Sequence, residues 1–561
     1  MLPTNSFYMD RDSLSDFTES RLLGYAHSDD ALVFGTSGLR QYIASGNEVS
    51  TLTEGRFVGI FQQRQQLTIR TDATGQELVY LYQSGDDWAI SNSFMLLLAH
   101  KSDMATMDFY PAAAMNFHLK QGRHIGEQLV SHKTQVRQIS ILPIGHALLI
   151  DTISGALRVE KRGFLENYRA SSDTGYFDLF ARFLNRSSGV LRAATQAGAP
   201  LNLSLSGGYD SRLVLGLALA AGVSEKMRVT SLLSKPNDLA VAESLAKRFN
   251  LSLNTETGPT ARRTLSAADS VRLYLLSCGA TYLPFYPVLR HSLAPDAELH
   301  LTGDQPSGLS FLAGKAQFNG TIAKIASDIE ESLADRAYGK EVSQDFLGLF
   351  DDLEIDSDHP AAPIAYYSAV RARHHGGRSW YKSLGPSVLF TPLMHSDLLK
   401  LDVSNAEAGH RDARNGYASK QKFFADAFSA IGGWATEEPF ETPSRAFPQS
   451  LLHDSPFRNG YTIEPMEVIP YGAPSDLGET SSSADMYDLD LDMWDNSGAI
   501  KAHLHTLLRR SKNKEARKLF TSEDLKRARE QAESDSNLSH GTRQLCHIVS
   551  TDIVATQCGE S

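Results

Sequence analysis

The residues best suited to chemistry stand together at Ser206-Gly207-Gly208-Tyr209-Asp210-Ser211. Adjacent glycines let backbone N–H groups approach a ligand closely, a helix starting here adds about half a positive charge, and the Ser206 and Ser211 hydroxyls can donate to phosphate oxygens. Asp210 supplies a hard oxygen ligand suited to Mg²⁺. The segment is an anion cradle without a lysine. No Gly-Lys-Ser/Thr closes it, and the nearest imitation, Gly308 to Ala316, has five residues between its glycines and Ala316 after Lys315.

Such a loop works only between the end of a strand and the start of a helix. Leu201, Leu203 and Leu205 alternate along a strand over 201–205, and an apolar helix is predicted over 210–221, ended by Gly222. RVTSLL (228–233), a helix over 238–249, SLNTET (252–257) and ELHLT (298–302) continue the alternation. That pattern predicts a parallel sheet with helices on both faces. A periodic helix over 176–196, with Phe180, Phe183, Leu184 and Leu191, opens this domain and puts its boundary at 160–172. Upstream, FVGIFQ (57–62), QLTIRT (66–71), ELVYLYQS (77–84), DWAISNS (87–93) and HALLID (146–151) read as strands of a β-rich layered domain, with a helical stretch over 110–119.

With these motifs in order, the chain resembles the asparagine synthetase superfamily over about residues 25–450. SGGYDS is similar to the family's pyrophosphate-binding loop, SKPNDLAVAESLAKRFNL (234–251) to its Pro-x-Asp helix, and LTGDQPSG (301–308) stands in the place of its second nucleotide loop. Phe390 to Leu401, with Pro392 and Leu393, resembles a motif reading roughly Pro-Phe-Leu-Asp, and Lys420 or Lys422 falls where the family has a Lys-containing helix. EGRFVGIF, Asp72-x-x-Gly75, AISNSFMLLL and LPIGHALLID resemble its class II glutamine amidotransferase domain.

The pattern also breaks. A class II amidotransferase uses a Cys directly after the initiator Met, because the residue's own amine serves as base. This chain begins Met1-Leu2-Pro3, its cysteines are Cys278, Cys546 and Cys558, and Phe34-Gly35-Thr36-Ser37 replaces the family's oxyanion-stabilising Asn-Gly segment. The expectation is no glutamine hydrolysis, as in the superfamily's β-lactam synthetases and lasso-peptide cyclases. Arg212 replaces a second hydroxyl residue, and Gln305-Pro306-Ser307-Gly308 replaces the usual acidic pair. TPLM (391–394) lacks an Asp after Leu, and TPSRAF (442–447) alone represents the family's later basic motif.

The resemblance therefore implies an α/β chain of three parts. Residues 1–165 form an αββα amidotransferase-like sandwich, 166–470 a parallel-sheet adenine nucleotide hydrolase-like (PP-loop) synthetase domain, and 471–561 an acidic linker with a helical extension. It implies an ATP-dependent ligase that adenylates a carboxylate, releases pyrophosphate and passes the acyl group to an amine, with AMP as the second leaving group. Ser206, Gly207, Gly208 and Ser211, with Gly303, would hold phosphates, and Leu205 and Leu233 would flank adenine. Asp210, with Asp304 as a surrogate partner, would hold Mg²⁺, and Tyr209, Lys420 and Lys422 are the candidates for catalysis. Cofactors are ATP and Mg²⁺. The partners are a small-molecule or peptide carboxylate and an amine, and a homodimer is compatible with the reading. The alternative is a catalytically reduced homologue acting as a nucleotide-binding scaffold or regulator.

Charge and composition narrow the field. Lys plus Arg number 54 against 66 Asp plus Glu, a net charge of −12, so the average field repels polyanions and nucleic acid is not an expected partner. No window approaches 18 uninterrupted apolar residues and no secretory leader is legible, so the expectation is a cytoplasmic protein without a membrane partner. The cysteines are too few and scattered for a disulfide framework. Arg371, Arg373, His374, His375 and Arg378 form a basic knot that is either solvated and helix-capping or a seat for an acidic substrate. The basic run 508–518, within a helical segment over about 499–534, reads as a solvated helix face, and His503 and His505 as surface.

Overall fold

Alternating apolar residues build the first part of the molecule as two facing sheets. The computed structural model describes residues 6–102, 107–119, 123–171, 175–254, 262–264, 267–283, 290–292, 298–305, 321–377, 387–408, 417–440, 449–478, 504, 506–509, 514–534 and 540–559. One sheet is antiparallel, in the order β1 (Tyr8–Asp10), β7 (Asp87–Ser91), β6 (Tyr80–Ser84), β8 (Ile139–Ile141). The other has seven strands: β10 (Leu157–Glu160), β9 (Ala147–Asp151), β5 (Gln66–Thr71), β4 (Glu54–Gln63), β2 (Arg21–His27), β3 (Ala31–Phe34) and β18 (Ile469–Tyr471). Val58 and Ile60 of β4 and Leu67 and Ile69 of β5 meet Met9, Leu81 and Ile90 between the sheets. Each such burial contributes about 1.5–3 kcal/mol. On the outer face, Phe57 and Phe61 pack with Leu39 and Tyr42 of the helix Gly35–Ala44.

The second unit has a parallel sheet in the order β13 (Ser252–Leu253), β12 (Met227–Thr230), β11 (Leu201–Ser204), β16 (Glu298–Leu301), β17 (Ser387–Phe390). Leu201 lies opposite both Met227 and Leu299, and Leu301 opposite Phe390. The helix Tyr209–Ala220 is buried almost all round, as its continuous apolar run requires. The helix Pro236–Phe249 stops at Asn250, whose left-handed backbone (φ 52°) closes the last turn. Strands β14 (Arg262–Thr264) and β15 (Arg290–Ser292) pair as a separate ribbon.

One expectation is extended and one corrected. In the basic run Arg509, Arg517 and Lys518 are exposed, as a solvated helix face requires, but the segment also has a packed face: Leu504, Leu507, Leu508 and Phe520 are buried, and the helix His540–Gln557 sends Leu545, Ile548, Val549 and Val554 into the core shared with the helix Phe94–Ser102. The basic knot is not solvated. Residues Tyr367–Gly377 form a π-helix of 11 residues in which Arg371, Arg373 and His374 are buried, while Arg378 lies outside the described residues. His503, His505, Lys315, the acidic linker and 442–447 also lie outside them. None of the three cysteines forms a disulfide; Cys278 and Cys546 are buried and Cys558 is partly exposed. No helix among the described residues is long and apolar enough to cross a membrane.

Candidate functional site

In the parallel sheet, chain order reverses between β11 and β16: β12 and β13 extend to one side, β16 and β17 to the other. Ligands of open parallel sheets bind beyond the C-terminal ends of the strands at this reversal. The loop 205–208 leaves β11 here, and Thr302, Gly303 and Asp304 leave β16 beside it. Gly303 makes the approach possible. A Cβ on it would fall 2.6 Å from Asp210 Cβ and 2.9 Å from the Ser211 nitrogen, so any other residue would push the two loops apart.

The cradle forms, and internal groups satisfy it. The Ser206 N–H donates to Ser211 Oγ at 3.1 Å, the two hydroxyls lie 3.1 Å apart, and the Gly208 N–H donates to Ser206 Oγ at 3.3 Å. Gly208 has φ −87°, so glycine serves here to leave the N–H accessible, not to allow a left-handed backbone. The Gly207 N–H donates at 2.8 Å to Oδ1 of Asp238 in the first turn of the helix Pro236–Phe249. A carboxylate of the protein thus occupies one donor of an anion cradle, with Lys235 Nζ 3.8 Å from its other oxygen. Asp210 accepts a hydrogen bond from the Gln305 side-chain amide, and Asp304 accepts one from Thr302 Oγ1 at 2.9 Å. A Cβ on Gly376, at the end of the π-helix, would lie 3.6 Å from Asp304 Cβ. Burial raises the Tyr367 hydroxyl to about 12, with Arg371 opposing and the charges of Asp304 and Asp210 adding.

Other residues singled out in the sequence go elsewhere. Tyr209 packs its ring among Phe424, Phe428 and Phe440, with centroids at 5.2, 6.0 and 4.9 Å; it fills the core instead of facing a substrate. Lys422 lies along the helix Tyr417–Ile431, 2.9 Å from Asp426 Oδ2 and over the Tyr176 ring; Lys420 is on the same helix. Leu205 is buried in the core, whereas Leu233 is 75 % exposed in the loop after β12. Arg212 points away from the cradle. Its guanidinium is buried, donates to the carbonyls of Ala435, Glu438 and Pro439 at 2.7, 3.0 and 2.9 Å, and lies 4.0 Å over Phe440. Ser307 lies outside the described residues. The sequence named Asp238 within the Pro-x-Asp helix and Gln305 within the second loop but assigned neither of them a role, and the structure bonds both to the cradle.

Among the described residues, no three His, Cys, Asp or Glu side chains gather as a metal cage. Mg²⁺ bound with a nucleotide needs only one or two carboxylates besides the phosphates, and Asp210 and Asp304 fit that donor set. No family model and no curated protein matches the chain.

Proposed function

We propose that the chain is an AMP-forming, ATP-dependent amide ligase similar to the asparagine synthetase superfamily, with a PP-loop synthetase domain behind an amidotransferase-like sandwich. The observation that carries this reading is the meeting of the Ser206–Ser211 loop with Gly303 and Asp304 at the chain reversal of the parallel sheet. A glycine and hydroxyl cradle without lysine suits a pyrophosphate leaving group, since N–H and O–H donors aimed at developing charge stabilise its departure. A substrate carboxylate oxygen attacks the α phosphorus, the α–β P–O bond breaks, and pyrophosphate leaves into the cradle. An amine then attacks the acyl carbon, AMP leaves with the bonding electron pair, and the nitrogen loses a proton. Asp210 and Asp304 would hold Mg²⁺, which neutralises phosphate charge when bound. The exposed Leu233 offers an apolar surface to adenine.

Support for the absence of glutaminase chemistry comes from the sandwich. A Cβ on Gly35 would meet the Asp476 carbonyl, and one on Gly38 the Tyr471 carbonyl, so the returning segment 471–476 packs onto the first turn of the helix that carries Thr36 and Ser37. The test is substrate-dependent ³²P-pyrophosphate exchange against a panel of carboxylic acids, with nucleotide products identified. AMP and pyrophosphate are expected; ADP and phosphate alone would refute the proposal. A second reading, a nucleotide-binding scaffold, is favoured by one observation: Asp238 and Gln305 already occupy Gly207 and Asp210. Binding of Mg·ATP with no exchange for any acid would favour it.

A further inference from the structure

We propose that a second ligand site lies on the outer face of the seven-stranded sheet and takes a small molecule through a carboxylate or phosphate group bound to Arg70. The helix Gly35–Ala44 covers this face at β2, β3 and β4. Toward β5, β9 and β10 a cavity of about 400 Å³ opens, walled by Tyr168 and by Ser396 and Lys400 of the helix Ser396–Glu407. That volume suits a small organic molecule.

Alternation along β5 decides what faces it. Leu67 and Ile69 enter the sandwich core, so Thr68 and Arg70 point outward into the cavity. The Arg70 guanidinium lies 4.9 Å over the Phe61 ring and 5.7 Å over Phe57, and donates to the Val49 carbonyl at 2.8 Å. Among the described residues no carboxylate lies within ion-pair distance of it, and the acids lining the cavity are bonded elsewhere. Asp72 holds the turn 72–76 through Thr74 and Gln76, Glu54 accepts from the Ser396 N–H and hydroxyl, and Glu160 stands 3.9 Å from Arg162.

A guanidinium presents five N–H donors in a rigid fork, and Val49 takes one of its directions. Arg70 lines the cavity, where a planar oxyanion could accept two bonds from it at once. The environment favours an anion for a second reason. Burial, and then the nearby charge of Arg162, pull Arg70 down to about 10 against the opposing charge of Asp72, so an added anion on the cavity side would further compensate the cation. Arg162 and Lys400, both lining the cavity, would carry the rest of the ligand's charge.

The test uses the full chain, with thermal melting and titration calorimetry against inorganic phosphate and, separately, citrate. Stabilisation by one probe and not the other assigns the phosphate or the carboxylate source. Arg70→Gln should weaken binding of the active probe about tenfold or more, the worth of one bidentate charged pair, and Arg70→Lys should restore only part of it. Arg162→Gln, at an exposed position, gives a smaller loss and serves if the Arg70 variant does not fold. Ser206→Ala should leave this binding unchanged, which separates it from the nucleotide cradle. Binding of neither probe, equal binding in the wild type and both Arg70 variants, or loss of binding in Ser206→Ala would each overturn the proposal.

Discussion

Arg212→Ser tests most directly how the loop 205–208 and its helix are held, because the superfamily that the chain resembles has a hydroxyl at that position. By resemblance alone the substitution should be harmless. The structure requires the opposite. Three backbone carbonyls, of Ala435, Glu438 and Pro439, receive the guanidinium at 2.7–3.0 Å, and Phe440 lies beneath it at 4.0 Å. Each hydrogen bond to a charged donor is worth about 1.5–3 kcal/mol, but the three share one group and do not add. Breaking a buried charged network costs about 3–5 kcal/mol, comparable with a large part of a domain's stability of about 5–15 kcal/mol. At about 2–4 °C per kcal/mol for a unit of this size, the melting temperature should fall by about 6–20 °C. Calorimetric melting of nucleotide-free protein measures this. Arg212→Lys should lie between the two, since it keeps the charge and loses the fork. A melting temperature of Arg212→Ser within about 2 °C of wild type would show that the guanidinium does not hold residues 434–440 onto the loop helix.

Three further outcomes are expected. Asp304→Asn should weaken Mg·ATP binding about tenfold by calorimetry, as expected for loss of one charged ligand, with the nucleotide-free melting temperature unchanged; unchanged affinity removes Asp304 from the site. Asp238→Ala frees the Gly207 N–H and should tighten pyrophosphate binding several-fold, about the worth of one uncontested hydrogen bond; weaker binding would make Asp238 part of the cradle instead of its competitor. Burial pushes the Glu54 carboxyl up from 4.5 to about 7, with Asp397 adding and Ser396 opposing. The folded state therefore holds this proton more tightly than the unfolded state, so its contribution favours folding below about pH 4.5 and is lost as pH rises through 7. The difference is about 3 kcal/mol. Glu54→Gln should flatten this slope in denaturant titrations at pH 5 and 8, and an unaltered slope would locate the titration elsewhere.

What was legible in the sequence follows from how local each feature is. β4 and β5 read clearly because period-two alternation is written within each strand, and SGGYDS because its donors are contiguous. β18 did not. It is three residues long, contains Pro470, and pairs with Ala31–Val33, more than 430 positions away. The π-helix was illegible for another reason: its one-residue-wider turns leave no repeat in a segment of 11 residues, so Arg371 and Arg373 read as a charged surface. The site was half visible for the same cause. Asp238 and Gln305 reach the cradle from two separate segments, and only folding makes them neighbours.

The join between the two units shows how the sandwich bears on the segments beside the cradle. Arg373 is buried and donates across the seam to the carbonyls of Gly75 and Leu142 at 2.9 Å and Glu77 at 3.4 Å. Arg56 answers from the other side, pairing with Glu77 at 2.9 Å and donating to the Gly377 carbonyl at 2.5 Å. Carbonyls of the first unit thus satisfy a buried guanidinium of the second, and Arg56, paired within its own unit, reaches one carbonyl back. Both contacts fall on the last turn of the π-helix, where a Cβ on Gly376 would lie 3.6 Å from Asp304 Cβ. The sandwich therefore bears on the segment after β16 through packed and hydrogen-bonded groups alone, by way of the turn that ends at Gly377.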